Sequence, residues 1–328
     1  MVYSRYYPAV VAALLLSGSV LTTAQAQDNS ASTPAVDDAT IEVIGRRQSE
    51  AQARKDANEF IRRAVAAHGE RPIARWVDPV CPKVLGIQPE YAAIVERKLR
   101  AIATIADIPV ALGRCKTNIV VSFTTDAPGV VQRIAQRSPR RIAEVPPPDR
   151  DALLKGEAPV RWWYGTRVTS PDGDSTTNDT PVAALGTAEG GGSALALGVE
   201  TIQGYGSSSL IRTQVVRALR TATVVIDVNR AEGVPLDAVA AFAAMVAFAE
   251  IRPAKISPPN SILGLFGDDA RIANATDWDI SFLKATYSIP AARAGWRQRR
   301  MLVGKILKDA DAAGQIDDDL TEGLDTPN

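Results

Sequence analysis

The chain has 328 residues, with 37 lysines and arginines against 37 aspartates and glutamates, one histidine and two cysteines. A formal net charge of zero sets up no overall field towards nucleic acid or an anionic membrane surface. The 46% hydrophobic content is that of an ordinary globular protein, and the length suits one large domain or two small ones.

Residues 1–26 read as a secretory signal peptide, with Arg5 in the n-region, an apolar Ala9–Leu16 stretch and an Ala24-Gln25-Ala26 cleavage site. The mature chain is then expected to be periplasmic or secreted, with no membrane span left after cleavage near Ala26. Residues 27–47 form a polar, then briefly extended linker. Its last part, Ile41–Arg47 (IEVIGRR), resembles the short TonB-box-like stretch that opens many outer-membrane receptors. An edge strand or linker is preferred there over a strand that docks on a partner's sheet. The globular domain is expected over residues 48–313, followed by an acidic tail, 314–328.

Within that domain, Gln48–His68 is an amphipathic helix with Ala53, Ala57, Phe60, Ile61, Ala64 and Val65 on one face. Cys81 and Cys115 make an even pair in an oxidising compartment, which favours a structural disulfide over redox chemistry in the absence of C-x-x-C. Closing such a loop contributes about 3–4 kcal/mol in the chain-entropy picture. A helix is expected at Pro89–Ala106, a strand at Asn118–Thr124, a short helix at Pro128–Gln136 and a surface loop at Pro146-Pro147-Pro148.

Arg161–Val168 is an aromatic strand carrying Trp162, Trp163 and Tyr164, candidate ligand-binding residues for sugar or peptide. Strand alternation requires at least one of them to face the core. Asp172, Asp174, Asn178 and Asp179 form an oxygen-rich loop that a calcium ion would suit. The loop lacks the sixth-position glycine and terminal glutamate of an EF-hand, so a polar hairpin tip is the preferred reading.

The centre of the chain is a β-branched strand, Thr221–Val228, a turn through Gly233 and Pro235, and the apolar run Leu236–Ile251. A helix apolar all round is a core helix or a membrane span. At about 16 residues it falls short of the roughly 20 a span needs. Helices at Asp277–Tyr287 and Ala291–Ala313 complete the domain. The expected class is α+β: a mixed sheet packed on helices, with a buried central helix and a helical C-terminal subdomain.

This order resembles the layout of zincin-type metallopeptidases. The segments Ala244–Ile251, Ser261–Asp268 and Thr276–Tyr287 also resemble a secreted proteobacterial family of unknown function, some members of which are called putative lipoproteins. The resemblance implies a scaffold but no activity. Where a zincin carries His-Glu-x-x-His this chain has Ala241-Phe242-Ala243-Ala244-Met245, which supplies neither imidazole nor glutamate. His68, the single histidine, is read as a solvated helix end. No G-x-S-x-G elbow or phosphate loop is present, and no cofactor is implied.

Two functions remain from the sequence, beside the blander option of a structural envelope component with no ligand. One is a non-catalytic envelope protein that binds a protein, peptide or glycan across a degenerate peptidase-like cleft. The other is a carboxylate-based hydrolase of envelope glycans or peptides using Asp227 and Glu250. Both carboxylates are more simply structural: a strand-end cap, and a helix-end charge near Arg230 or Arg252.

Overall fold

The computed structural model describes residues 48–66, 69–169, 216–252, 261–267, 272–314 and 316–317. They belong to one α+β unit organised around a single long strand. That strand, which we number β6 in chain order, is Val216–Asp227. It begins five residues earlier than its β-branched core suggested, because Val216, Arg217, Ala218 and Leu219 are buried alongside it.

On one side of β6 lies β5 (Val160–Thr169), antiparallel along its length with one irregularity between Gly165 and Thr166. On the other side β2 (Arg75–Trp76) and β4 (Ile119–Thr124) follow one another, both parallel to it. Outside β4 runs β3 (Pro82–Leu85), also parallel. A separate pair, β1 (Gln48–Ser49) and β7 (Ile316–Asp317), joins the two ends of the described domain in parallel. The sheet is therefore mixed, with β5 its antiparallel edge.

Both faces of the sheet are covered, as a β-branched strand such as β6 requires. On one face α3 (Ala127–Arg137), a 3-10 turn (Pro139–Ile142) and α4 (Pro147–Lys155) enclose a small core of Val131, Ile142, Leu153, Trp163 and Val225. The other face carries the main core, built with α1 (Glu50–Ala64), α2 (Pro89–Ile105), α5 (Leu236–Phe248), α6 (Asp277–Ser288) and α7 (Gly295–Ala312). The α1 helix starts on Ser49, whose side chain accepts the Gln52 N–H, and buries Ala57, Phe60, Ile61 and Ala64 at helical spacing. A Thr276–Asp279 capping box opens α6. The Cys81–Cys115 disulfide is present, with Cα atoms 6.0 Å apart.

The α5 helix lies in the middle of the main core. No residue from Ala238 to Phe248 is more than 5% exposed. It ends three residues sooner than its apolar run, because Ala249 turns extended (φ −129, ψ 145) and the chain leaves as a strand-like segment. There Ile251 bridges Val65, with the Ala66 N–H donating to the Glu250 carbonyl and the Arg252 N–H to the Ala64 carbonyl. The last carbonyls of a helix have no partner within it. Here three aromatics supply donors: the Tyr164 hydroxyl, with one proton to share, lies 2.6 Å from the Val246 carbonyl and 2.8 Å from that of Ala249, Trp76 Nε1 donates to Ala247 at 2.9 Å, and the Tyr287 hydroxyl donates to Phe248 at 2.7 Å. Helix and sheet are thus locked together at the point where the candidate site forms.

The triple proline is not the surface loop expected. Pro147 and Pro148 occupy the first turn of α4, where a missing N–H costs nothing and φ is already set, and Asp149 follows in the favourable dipole position.

A slot at the open edge of the sheet as candidate functional site

The register of β5 on β6 decides which of its backbone groups are spent. The Asp227 N–H donates to the Pro159 carbonyl at 2.8 Å, so residues 159, 161, 163 and 165 form the hydrogen-bonded pairs of the antiparallel ladder. The backbone N–H and C=O of Trp162 and Tyr164 consequently point away from β6, along the free edge of the sheet. Beyond the irregularity the outward N–H of Thr166 is taken by Glu144, which accepts it at 2.8 Å and the Thr166 hydroxyl at 2.7 Å. Glu96 closes the opposite edge in the same way by accepting the Val84 N–H at 2.9 Å.

This edge is the floor of a cavity of about 310 Å³. One wall comes from α4 and the turn before it, with Val145, Pro146 and Leu153. The other is the segment leaving α5, Glu250 to Arg252, with Ala66 and Arg71 beside it. Trp162 and Tyr164 turn their rings towards α5, where Trp162 meets Phe242 edge-on at 5.9 Å and donates from Nε1 to the Ile251 carbonyl at 2.8 Å. Trp163 turns to the opposite face and is 4% exposed in the smaller core. All three sequence candidates therefore border the cavity, each anchored in a core rather than standing free on the surface.

The charged groups around the slot are mostly committed. Glu250 is 7% exposed and accepts two hydrogen bonds from the buried Arg217, at 2.6 and 2.9 Å, with the Ala74 N–H at 3.3 Å. Its partner is Arg217, not the Arg230 or Arg252 expected from sequence; Arg71 approaches it at 3.7 Å. Burial, then repulsion from Arg217, lowers the Arg71 guanidinium from its ordinary value. Arg252 and Asp149 form an ion pair at 3.5 Å that joins the two walls, although Asp149 Oδ2 makes no hydrogen bond. Burial pushes the Tyr164 hydroxyl far above its usual range, so it stays neutral and works as a hydrogen-bonding group.

Asp227 behaves as a strand-end cap, accepting the Asn229 and Arg230 N–H groups. It lies at one end of β6, while Glu250 is fixed to Arg217 near the other, whose backbone is roughly 33 Å of strand from that of Asp227. Two carboxylates that flank one glycosidic bond sit within roughly 10 Å of each other. The structure does not bring this pair together. His68 and the Asp172, Asp174, Asn178, Asp179 loop lie outside the described residues. Among the described residues no group of three or more His, Cys, Asp or Glu is placed to hold a metal ion, and no helix is long and apolar enough to cross a membrane.

Sequence reasoning missed Arg71, Glu144, Asp149 and Arg217. Two signals were available: an arginine inside the apolar strand beginning Val216 needs a buried partner, and a Pro-Pro-Asp run fits a helix start.

The fold and the slot define an α+β protein with an open-edged mixed sheet. No family model, curated protein or solved structure matches this chain.

Proposed function

We propose that this chain is an exported, non-catalytic binding protein of the cell envelope, which holds a peptide, protein segment or glycan in the slot beside β5. The observation that carries the reading is the slot itself: an aromatic, apolar cavity at a sheet edge whose carboxylates are already engaged by neighbours. A binding site needs a preformed apolar concavity with a few fixed polar groups. A general acid or base would need a proton-accepting carboxylate facing the cavity; Glu250 and Glu144 instead hold the fold, and Asp149 is paired with Arg252 across the two walls. Export is supported by the leader-like N-terminal residues and by a disulfide in the domain. The scaffold is read as a degenerate zincin-type one, supported by the buried α5 under an antiparallel edge strand; Ala241 to Met245 are then the residues that replaced the metal-binding motif.

The test compares the mature protein with Val145→Trp, which fills the slot from the turn before α4 at a half-buried position. Envelope extracts passed over both should leave material on the first that is absent from the second. Equal retention, or none on either at varied salt, sinks the reading. The carboxylate hydrolase alternative predicts that the amide variants of Asp227 and Glu250 lose hydrolysis of envelope glycans while staying folded; the separation of the two groups disfavours it.

A further inference from the structure

We propose that the free edge of β5 is a strand-addition site: an extended segment of a separate polypeptide pairs with the outward backbone groups of Trp162 and Tyr164 and places one aliphatic side chain in the cavity between Leu153 and Ile251. The inference rests on the binding role proposed above and narrows its ligand to polypeptide.

Hydrogen-bond complementarity chooses the ligand. Ladder pairing through Asp227 and Pro159 turns the backbone groups of Val160, Trp162 and Tyr164 outward; the latter two border the cavity and offer two N–H donors and two carbonyl acceptors, two residues or about 7 Å apart. That alternation is the repeat of a β-strand, and an extended peptide matches all four groups with two residues of its own. A sugar ring or an acyl chain does not reproduce the repeat. Among the described residues these groups have no hydrogen-bond partner, whereas both neighbouring liabilities are closed: Thr166 by Glu144, and β3 by Glu96. Proteins protect exposed sheet edges with charged side chains of this kind. The protection stops at the stretch that borders the cavity.

The walls argue for a lone strand rather than the edge of a second copy. α4 stands on one side and the Glu250–Arg252 segment on the other, so the floor is reached from within a slot. The two walls are joined by the Arg252–Asp149 ion pair at 3.5 Å. On the wall, the Ile251 carbonyl is already taken by Trp162 Nε1 at 2.8 Å.

The probe is an acetylated, amidated heptapeptide of alternating threonine and valine, used beside the same peptide methylated at every backbone nitrogen. Amide hydrogen exchange of the mature protein is followed by NMR in both. The expected result is slowed exchange at Trp162 and Tyr164 with the first peptide, unchanged exchange at Thr166, whose N–H is already bonded, and affinity weakened at least roughly tenfold by methylation. Equal binding of both peptides would overturn strand addition while leaving a side-chain-binding slot and the broader reading intact. Protection that rises with protein concentration in the absence of peptide would assign the edge to a second copy, and protection already complete in the dilute free protein would assign it to this chain. Either overturns the proposal, as does failure of the first peptide to bind. The Val145→Trp comparison judges the broader reading separately.

Discussion

The side chain that holds the slot in place is Arg217. It is buried to 4% exposure inside a strand and compensated by Glu250, the Pro72 carbonyl and the Thr166 hydroxyl. A buried ion pair adds little net stability over a hydrophobic substitute, yet removing one partner strands a charge. Arg217→Met should therefore cost about 3–5 kcal/mol, and the double replacement of Arg217 and Glu250 by methionine distinctly less. Chemical denaturation of the three variants checks the order; a double variant as unstable as the single one would contradict it. Tyr164 and Tyr287 provide a second test. Burial, the largest cause for each, raises both hydroxyls above the ordinary tyrosine value near 10. A group with a raised folded pKa contributes stability that is whole below its unfolded pKa and is lost as pH rises past it. Denaturation midpoints should stay unaffected by these two groups up to about pH 10 and fall above it, with their tyrosinate absorbance appearing only on unfolding. Replacing both with phenylalanine should flatten that alkaline decline while lowering stability at neutral pH, since helix carbonyls lose their donors.

At the scale of elements, α5 is defined by what its residues lack. Eight of its thirteen positions need only small or β-branched apolar side chains to fit against sheet and helices, and none from Ala238 to Phe248 is exposed. Enlarging Ala244, at 0% exposure, to leucine should cost about 1–3 kcal/mol through overpacking, whereas the same change at Ala101 on the exposed side of α2 should be close to neutral. Thermal melts of the two variants distinguish them. The existence of α5, α1, α2, β4 and β6 was legible because each is a long stretch with one unmistakable period or an unbroken apolar run. The two-residue strands β1, β2 and β7 were not, since pairing over so short a length is set by tertiary neighbours and leaves no period to read. α4 was hidden by its prolines, which mark a loop and a helix start alike.

For the molecule as a whole, the aromatic strand Trp162–Tyr164 could be recognised as part of a candidate site, but its environment could not. Which side of β5 stays open depends on pairing with a strand that begins more than 50 residues later, and the walls come from segments near positions 71, 145 and 250. No local pattern encodes that convergence; the buried charges were its one trace, and Glu250 was given the wrong arginine because proximity in sequence favoured Arg252. Close packing also explains why one glycine matters at long range. Any Cβ on Gly295, at the start of α7, would overlap the Arg71 carbonyl, so this residue lets the helix accept the 69–71 backbone, with the Gly295 and Trp296 N–H groups donating to Glu70 and Gly69. Arg71 reaches the slot from that anchor.

The parallel clasp of β1 with β7 puts Gln48 beside Ile316 and Ser49 beside Asp317. Order along the chain is therefore separable from order in space for this domain. A circularly permuted gene, with a short glycine–serine bridge from position 317 to 48 and new ends cut at the exposed Leu112–Gly113 turn, should yield a protein with the same circular dichroism spectrum and the same disulfide. Cys115 would then open the polypeptide only two positions from its new start, with its bond to Cys81 spanning nearly the entire rearranged sequence.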